Sequence, residues 1–345
     1  MSNAPRNHLG DRIHHFGDRL TSAIQTKKTP LVVGLDPRFN QLPPIIGNTR
    51  DELTAEKIAE LTAQYCCEVI DAVAHLVPAV KPQAAFFEQL GWHGMVVLSK
   101  VVDYAASRGL LTIMDAKRGD IGSTAQAYAQ AYLGPKPESA WGCDSLTVNP
   151  YLGADSLEPF VETANAKGAG LFVLVKTSNP GSDTLQEKVV GRPIGAGASG
   201  GQGDGAQNHD GRNGGNSDGQ KIYAVVAEHV QELSRQSAGE SGYGNIGAVV
   251  GATYPEQLSE LREKMPNTIF LIPGFGAQGG TAKDVAGGLD ANGLGGVINS
   301  SRAIIFAYQR DEYSGASSWQ AAVEQATRDT IDQLADGTSA GKLRQ

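Results

Sequence analysis

The sequence predicts an α/β protein built as a (β/α)₈ barrel, on three observations. Eight short apolar runs rich in β-branched residues recur along the chain, and each ends in a polar, glycine or proline cluster. The runs are continuous rather than alternating, which is typical of parallel strands buried on both faces. Amphipathic segments of helical period, such as residues 55–76, separate them. A doubly wound sheet is the alternative, but no GxGxxG motif follows the first run.

The predicted strands occupy, in chain order, residues 31–36, 79–82, 110–115, 145–150, 171–178, 246–253, 268–274 and 296–301. A chain of 345 residues is long for one domain but suits a single barrel, residues 1–345, that carries an insertion. Residues 195–219, after the fifth strand, hold ten glycines and no apolar residue larger than alanine. Such a segment buries too little surface to offset its ordering entropy, so we expect a flexible insertion loop there.

Charge and composition narrow the possible partners and the location of the protein. The formal net charge is −8 and the isoelectric point is about 5.4, which argues against nucleic acid or an anionic membrane as the main partner. A local cationic site for a small anionic molecule remains compatible with this balance. Residues 1–28 lack the apolar core of a signal peptide, and no apolar run approaches the ~20 residues of a membrane span. We therefore expect a cytoplasmic protein.

The stretch "MDAKRGDIGST" (114–124) is the strongest indication of chemistry. Asp115, Lys117, Arg118 and Asp120 follow the third apolar run with no turn residue between. Charges at the end of a buried strand are costly unless paired, and buried ion pairs are often neutral for stability, so the pattern favours function over a structural salt-bridge cluster. Asp115 and Lys117 are two positions apart, so an extended strand directs both to the barrel mouth.

Two other elements are expected to complete this charged cluster. Lys81 ends the second predicted strand and so reaches the same end of the barrel as Asp115 and Lys117. Asp120 lies just past the third strand, and we expect it to turn back toward the site or toward a neighbouring subunit. Two ammonium and two carboxylate groups could then alternate in space.

A phosphate site is predicted after strands seven and eight. "PGFGAQGG" (273–280) ends the seventh strand, and "NSSRAI" (299–304) ends the eighth and enters a helix. Barrels frequently bind phosphate with these two loops, through backbone N–H groups and a helix N-terminus. Glycines let the backbone approach the anion, while Arg302 and Gln278 supply further donors.

Lys176, in "LVKTSNP" at the end of the fifth strand, is a second candidate lysine. Its "KTS" resembles the strand on which deoxyribose-phosphate aldolases place a Schiff-base lysine. A pairing or structural role is the favoured interpretation, because the charged cluster lies on other strands.

Seven motifs together resemble the longer-chain subgroup (type 2) of the orotidine 5′-phosphate decarboxylases, over residues 12–310. They are "LDPR" (35–38), "KPQAAFFE" (81–88), "MDAKRGDIGSTAQAYA" (114–129), "TVNPYLGADSLEPF" (147–160), "VKTSNPGS" (175–182), "VVGATYPEQL" (249–258) and "IPGFGAQGG" (272–280). The resemblance implies a barrel of the ribulose-phosphate-binding type. It also implies the last step of de novo UMP biosynthesis, the conversion of orotidine 5′-phosphate to UMP and CO₂ without metal or organic cofactor.

The resemblance further implies roles for individual residues. Lys117 would stabilise and protonate a carbanion at pyrimidine C6, Asp115 would crowd the departing carboxylate, and Lys81 would hold Asp115. The family forms homodimers, in which Asp120 and Thr124 would serve the ribose in the partner's site. The substrate-binding residues implied in this way are Asp36, Thr124, Ser178, Gly274, Gln278, Ser301 and Arg302.

Three alternatives stay open on the sequence. The 3-keto-L-gulonate 6-phosphate decarboxylases and hexulose-phosphate synthases share the D-x-K-x-x-D strand, but they need Mg²⁺ and carry an acidic residue where Lys81 stands. A Schiff-base aldolase would act through Lys176. A phosphosugar-binding barrel would bind nucleotide without turning it over.

Overall fold

The computed structural model describes residues 15–47, 53–191, 219–276 and 279–345. In these ranges eight parallel strands close into a barrel, in the order β1-β8-β7-β6-β5-β4-β3-β2, which confirms the predicted fold class. The strands are β1 Leu31–Leu35, β2 Ala79–Pro82, β3 Leu111–Arg118, β4 Ser145–Val148, β5 Gly170–Lys176, β6 Ile246–Val250, β7 Phe270–Ile272 and β8 Gly296–Ser300. The last strand pairs with the first, with Leu31 opposite Ile298, so the described barrel has no open edge.

One helix precedes β1, and the others follow strands along the chain. They are α1 Phe16–Lys27, α2 Pro44–Gly47, α3 Ala55–Val73, α4 Ala85–Glu88, α5 Gly91–Ser107, α6 Gly122–Tyr132, α7 Ala154–Lys167, α8 Ile222–Gln236, α9 Pro255–Lys264, α10 Ala282–Ala286, α11 Arg302–Ile305 and α12 Trp319–Gly337. Within the described ranges, no helix has the length and apolarity needed to cross a membrane.

Two apolar layers hold the barrel together and close one of its ends. Alternation along β1 sends Leu31 and Val33 into the layer between strands and helices, whereas Val32 belongs to the cluster inside the barrel. Helix α1 joins the inner cluster through Phe16, whose ring meets that of Phe172 edge-on at 5.9 Å between centroids. The apolar face of α1 therefore plugs the end where the strands begin, and the opposite end is left for a site.

The predicted insertion departs from β5 through a short antiparallel ribbon. Val189–Val190 pairs with Gln220–Lys221, on either side of residues 192–218. Those residues lie outside the described ranges, so a single domain with a flexible loop at 195–219 stays a prediction.

Candidate active site

A cavity of about 1040 Å³ opens at the end of the barrel where the strands finish. Side chains at or just beyond the ends of all eight strands line it, as expected for a site on this face of a (β/α)₈ barrel. The sequence-predicted residues among them are Asp36, Lys81, Asp115, Lys117, Ser178, Gly274, Ser301 and Arg302.

The charged residues Lys81, Asp115 and Lys117, on β2 and β3, form two linked ion pairs in this cavity, called the ion chain below. The Lys81 Nζ atom lies 2.7 Å from Asp115 Oδ2, and the Lys117 Nζ atom lies 2.5 Å from Asp115 Oδ1. Lys81 and Asp115 are buried, whereas the side chain of Lys117 is 46% exposed. A single carboxylate thus fixes two ammonium groups, and the one nearer to solvent faces the cavity.

Mutual attraction keeps Asp115 and Lys81 ionised at neutral pH despite their burial. Burial alone would raise the pKa of the Asp115 carboxyl, but Lys81 and Lys117 outweigh it and hold that pKa well below its ordinary value. Burial alone would lower the pKa of Lys81, but the carboxylates of Asp115 and Asp36 outweigh it and raise that pKa. The charge pattern is therefore preorganised before any ligand binds.

A backbone irregularity in β3 brings Lys117 back to Asp115. The pairing with β4 runs from Met114–Leu146 to Arg118–Val148, so the register shifts between these pairs. Lys117 has a φ of +48°, in the left-handed region that lysine rarely adopts. The sequence argument from a regular extended strand predicted the right proximity, but the local geometry behind it is a bulge.

Two residues that line the cavity carry a buried polar atom without a partner among the described residues. They are Asp36, through Oδ1, and Asn299, through Oδ1. Buried polar atoms are nearly always hydrogen-bonded, so these two residues are candidates to contact a polar ligand in the cavity. Asp36 was a predicted ribose ligand, whereas no role was predicted for Asn299.

The loops after β7 and β8 meet at the predicted phosphate end of the cavity. Gly274 has a φ of +105°, which a residue with a side chain would strain to adopt. Ser301 packs closely against β1, where a Cβ on Gly34 would lie only 1.9 Å from the Ser301 Oγ atom. Ser301 and the exposed Arg302 line the cavity together with Gly274. Gln278, also predicted here, lies outside the described residues.

Asp120 and Thr124 do not reach the cavity of their own chain. The Asp120 Oδ1 atom accepts a hydrogen bond from the backbone N–H of Ile121 at 2.8 Å. Thr124 is exposed in the first turn of α6, and neither residue is among those that line the cavity. Asp120 was expected to turn either toward its own site or toward a neighbouring subunit. The described residues disfavour the first of these.

Two residues that contact Asp115 of the ion chain were not assigned a role from the sequence. Gln83 donates from Nε2 to Asp115 Oδ2 at 3.0 Å, and the Thr147 hydroxyl lies 3.1 Å from Asp115 Oδ1. Gln83 is two positions after Lys81, so alternation along an extended strand would have assigned it to the same face. Together they occupy the hydrogen-bonding capacity that the two lysines leave free on Asp115.

Lys176 is fully buried and does not line the cavity. Its Nζ atom pairs with Glu187 Oε1 at 2.9 Å and lies 4.1 Å from the centroid of the Tyr254 ring. The other carboxylate oxygen of Glu187 pairs with Lys221 at 2.7 Å, on the ribbon beside residues 192–218. This geometry agrees with a pairing lysine, because a Schiff base needs a free amine at the cavity and the Lys176 ammonium is buried and paired.

The substitution Glu187→Gln is expected to destabilise the fold, because it leaves the buried Lys176 ammonium without its counter-ion. We expect the free energy of unfolding, from urea titration followed by circular dichroism, to fall by about 2 kcal/mol. Lys221→Met is the matched control, since it breaks only the exposed half of the same bridge and should cost less than about 1 kcal/mol. Equal losses in the two variants would contradict a structural role for the Lys176–Glu187 pair.

Comparison with known proteins identifies relatives over nearly the whole chain. The model of the orotidine 5′-phosphate decarboxylase / HUMPS family matches residues 29–199. The orotidine 5′-phosphate decarboxylase of Rhodopirellula baltica is 52% identical over 324 residues, which cover 92% of this chain and 98% of that protein. The enzyme of the same name from Caldicellulosiruptor bescii is 37% identical, over 87% of this chain and 92% of that protein. The solved structure of Leishmania donovani OMP decarboxylase superposes with a TM-score of 0.66 at 29% identity, covering 94% of this chain and 98% of that one.

Proposed function

The chain belongs to the orotidine 5′-phosphate decarboxylase family and converts orotidine 5′-phosphate to UMP and CO₂; from this premise we propose that Lys117, Asp115 and Lys81 carry out the reaction. The observation that supports this assignment is the continuous Lys81–Asp115–Lys117 ion chain at the cavity. Loss of orotidine 5′-phosphate absorbance on adding purified protein in the presence of EDTA, beside a Lys117→Ala variant that should lose this activity, tests it. Rapid conversion to UMP is the expected result, and turnover that only Mg²⁺ restores would contradict it.

In the proposed mechanism, the bond between pyrimidine C6 and the carboxylate breaks, and its electron pair remains on C6 as CO₂ leaves. That orbital is not conjugated with the ring, so a nearby cation must supply the stabilisation. The Lys117 ammonium supplies it and then transfers a proton to C6, after which the amine regains a proton from water. Asp115, ionised beside the leaving carboxylate, repels it in the ground state and holds Lys117 in place.

The same premise orients the rest of the substrate in the cavity. The glycine-containing turn at Gly274, together with Ser301 and Arg302, receives the phosphate, and Gln278 adds a donor there in the family pattern. Asp36, with an unpartnered buried oxygen among the described residues, receives the ribose hydroxyls. Ser178, after β5, hydrogen-bonds the pyrimidine. Binding energy from the distant phosphate then serves orientation at C6.

We propose a homodimer in which Asp120 and Thr124 enter the partner's site. Both lie outside the cavity of their own chain, and the loops around them expose large apolar side chains. Ile121, Tyr151 and Leu152 are 58%, 74% and 51% exposed, and they follow the neighbouring strands β3 and β4 at the barrel end that carries the site. Large apolar side chains exposed on neighbouring loops are typical of an interface.

The metal-dependent sugar-phosphate enzymes within the same family model are the second candidate. They need a carboxylate oxygen free to bind a cation at the ends of β2 and β3. Here Asp115 Oδ2 accepts from both Lys81 and Gln83, and Asp115 Oδ1 accepts from Lys117. An ammonium group thus holds the position at which those enzymes present an acid, which favours the decarboxylation of a nucleotide.

Replacing Arg302 by alanine is expected to weaken binding of the phosphate group of the substrate. We expect kcat/KM for orotidine 5′-phosphate to fall by about 10³-fold, since a charge-assisted bidentate contact is lost far from C6. The nucleoside orotidine, which has no phosphate, is the matched substrate and should react equally slowly with the variant and the parent. A similar loss on both substrates would place the role of Arg302 elsewhere.

A further inference from the structure

The hydroxyl of Thr147, at the end of β4, makes contacts to three successive residues of β3. Its Oγ1 atom accepts from the backbone N–H of Ala116 at 3.0 Å and of Lys117 at 2.8 Å. It also lies 3.1 Å from Asp115 Oδ1, and this carboxylate takes the hydroxyl proton in preference to the Met114 carbonyl at 3.5 Å. A hydroxyl donates once and accepts twice, so this oxygen is saturated.

These contacts fall at the point where β3 leaves its regular path. The register with β4 shifts between Met114 and Arg118, and Lys117 holds a φ of +48°. A left-handed non-glycine residue is strained, and it persists only where its surroundings fix it. In this bulge the N–H groups of residues 116 and 117 turn toward Thr147 Oγ1 in place of a strand carbonyl. The side chain of Thr147 thereby supplies what the strand ladder does not.

The bulge determines where the proton donor of the proposed mechanism lies. With Lys117 in this conformation, its Nζ atom returns to 2.5 Å from Asp115 Oδ1, the same oxygen that the Thr147 hydroxyl contacts. Without the hydroxyl, the two N–H groups lose their acceptor and Asp115 loses a donor. Relaxation of β3 toward a regular strand would then move the ammonium group relative to pyrimidine C6.

We propose that Thr147 is a positioning residue, which holds the β3 bulge so that Lys117 and Asp115 meet the reacting carbon in the correct geometry. It acts through these two residues and needs no contact with the substrate. The proposal rests on the proposed function, since it assigns Thr147 a part in the step that Lys117 performs. The buried run of β4 is "SLTV", and Thr147 is its third residue. The proposal also explains why this position holds a hydroxyl-bearing residue rather than valine.

The test compares variants that keep or remove the hydroxyl. Thr147→Val keeps the shape of the side chain without the hydroxyl, and we expect kcat to fall by about 10²-fold, the effect of displacing a reacting group by roughly 1 Å. KM and the affinity for UMP should change less than about threefold, since the phosphate and ribose contacts are untouched. Thr147→Ser, which retains the oxygen, should stay within about threefold of the parent kcat.

A second pair of variants keeps the proposal testable if Thr147→Val does not fold. Thr147→Ala and Thr147→Ser differ only in the hydroxyl oxygen, so the ratio of their kcat values measures the effect of that oxygen. The thermal midpoint of both variants is measured as well, to show that both are folded. Equal kcat in the two, or a rise in KM at unchanged kcat, would overturn the proposal. Failure of the proposed function is distinguishable, because a Lys117→Ala variant would then keep near-parent kcat whatever the residue at position 147.

Discussion

Replacing Lys117 by alanine is expected to lower kcat for orotidine 5′-phosphate by about 10⁵-fold, because in the proposed mechanism one side chain supplies both the stabilising cation and the proton. Each of these contributions is typically worth about 10²- to 10⁴-fold, and they are lost together. The measurement is the loss of substrate absorbance in buffer with EDTA, with the variant at high concentration and the parent diluted.

Two readouts separate this effect from a loss of folding. Asp115 keeps its bond to Lys81 in the variant, so the thermal midpoint should remain close to that of the parent. The affinity for UMP should change less than about tenfold, because the lost interaction is made mainly in the transition state. Lys100→Ala, on the exposed face of α5, is the matched control and should leave turnover unchanged. A Lys117→Ala variant with near-parent kcat would remove Lys117 from the mechanism.

Mixing the inactive variants Lys117→Ala and Asp120→Ala is expected to restore activity. If Asp120 serves the partner's site, random exchange of subunits makes half of the dimers mixed, and one site in each mixed dimer combines intact Lys117 with intact Asp120. The activity should therefore approach about one quarter of that of the parent, as an isologous dimer requires. Each variant alone should show less than about 1% of parent activity, since each lacks a charge-bearing group in every site.

The control for the mixing experiment uses two variants whose substituted residues serve the site of their own chain. Lys117→Ala mixed with Asp115→Ala gives no site with both residues intact, because both belong to one chain, and activity should stay at the level of the single variants. Co-expression ensures exchange if the dimer dissociates slowly. No recovery in the first mixture, with mixed dimers present by mass spectrometry, would contradict the shared site.

The fold and most of the candidate site could be predicted from the sequence, because both depend on local patterns. Continuous apolar runs, buried on both faces, marked all eight strands, and parallel strands place their final residues at one end of a barrel. Lys81 and Asp115 needed only that rule to be assigned to one site. The glycine at position 274 marked a turn for the same kind of reason, since only glycine adopts its conformation without strain.

The direction of a side chain at a strand end was decided by the tertiary structure. Lys81 and Lys176 look alike in sequence, as lysines that end an apolar run, yet one lines the cavity and the other is buried against Tyr254 and Glu187. The pairing of β5 with β6 shifts register between Leu174 and Lys176, so counting alternate residues fails there. In β3 the bulge held by Thr147 brings Lys117 to Asp115 although its backbone is not extended.

Apolar periodicity and the cost of unpaired charge therefore determined, from the sequence alone, a (β/α)₈ barrel with a charged site at the ends of β2 and β3. The path of each strand end, and with it the partner of each charge, depends on hydrogen bonds from residues distant in sequence. Thr147 lies about 30 positions from the backbone it fixes, and Glu187 reaches both Lys176 and the ribbon beyond the insertion. Only the folded chain brings these groups together, because no local pattern encodes a bond from one element to another.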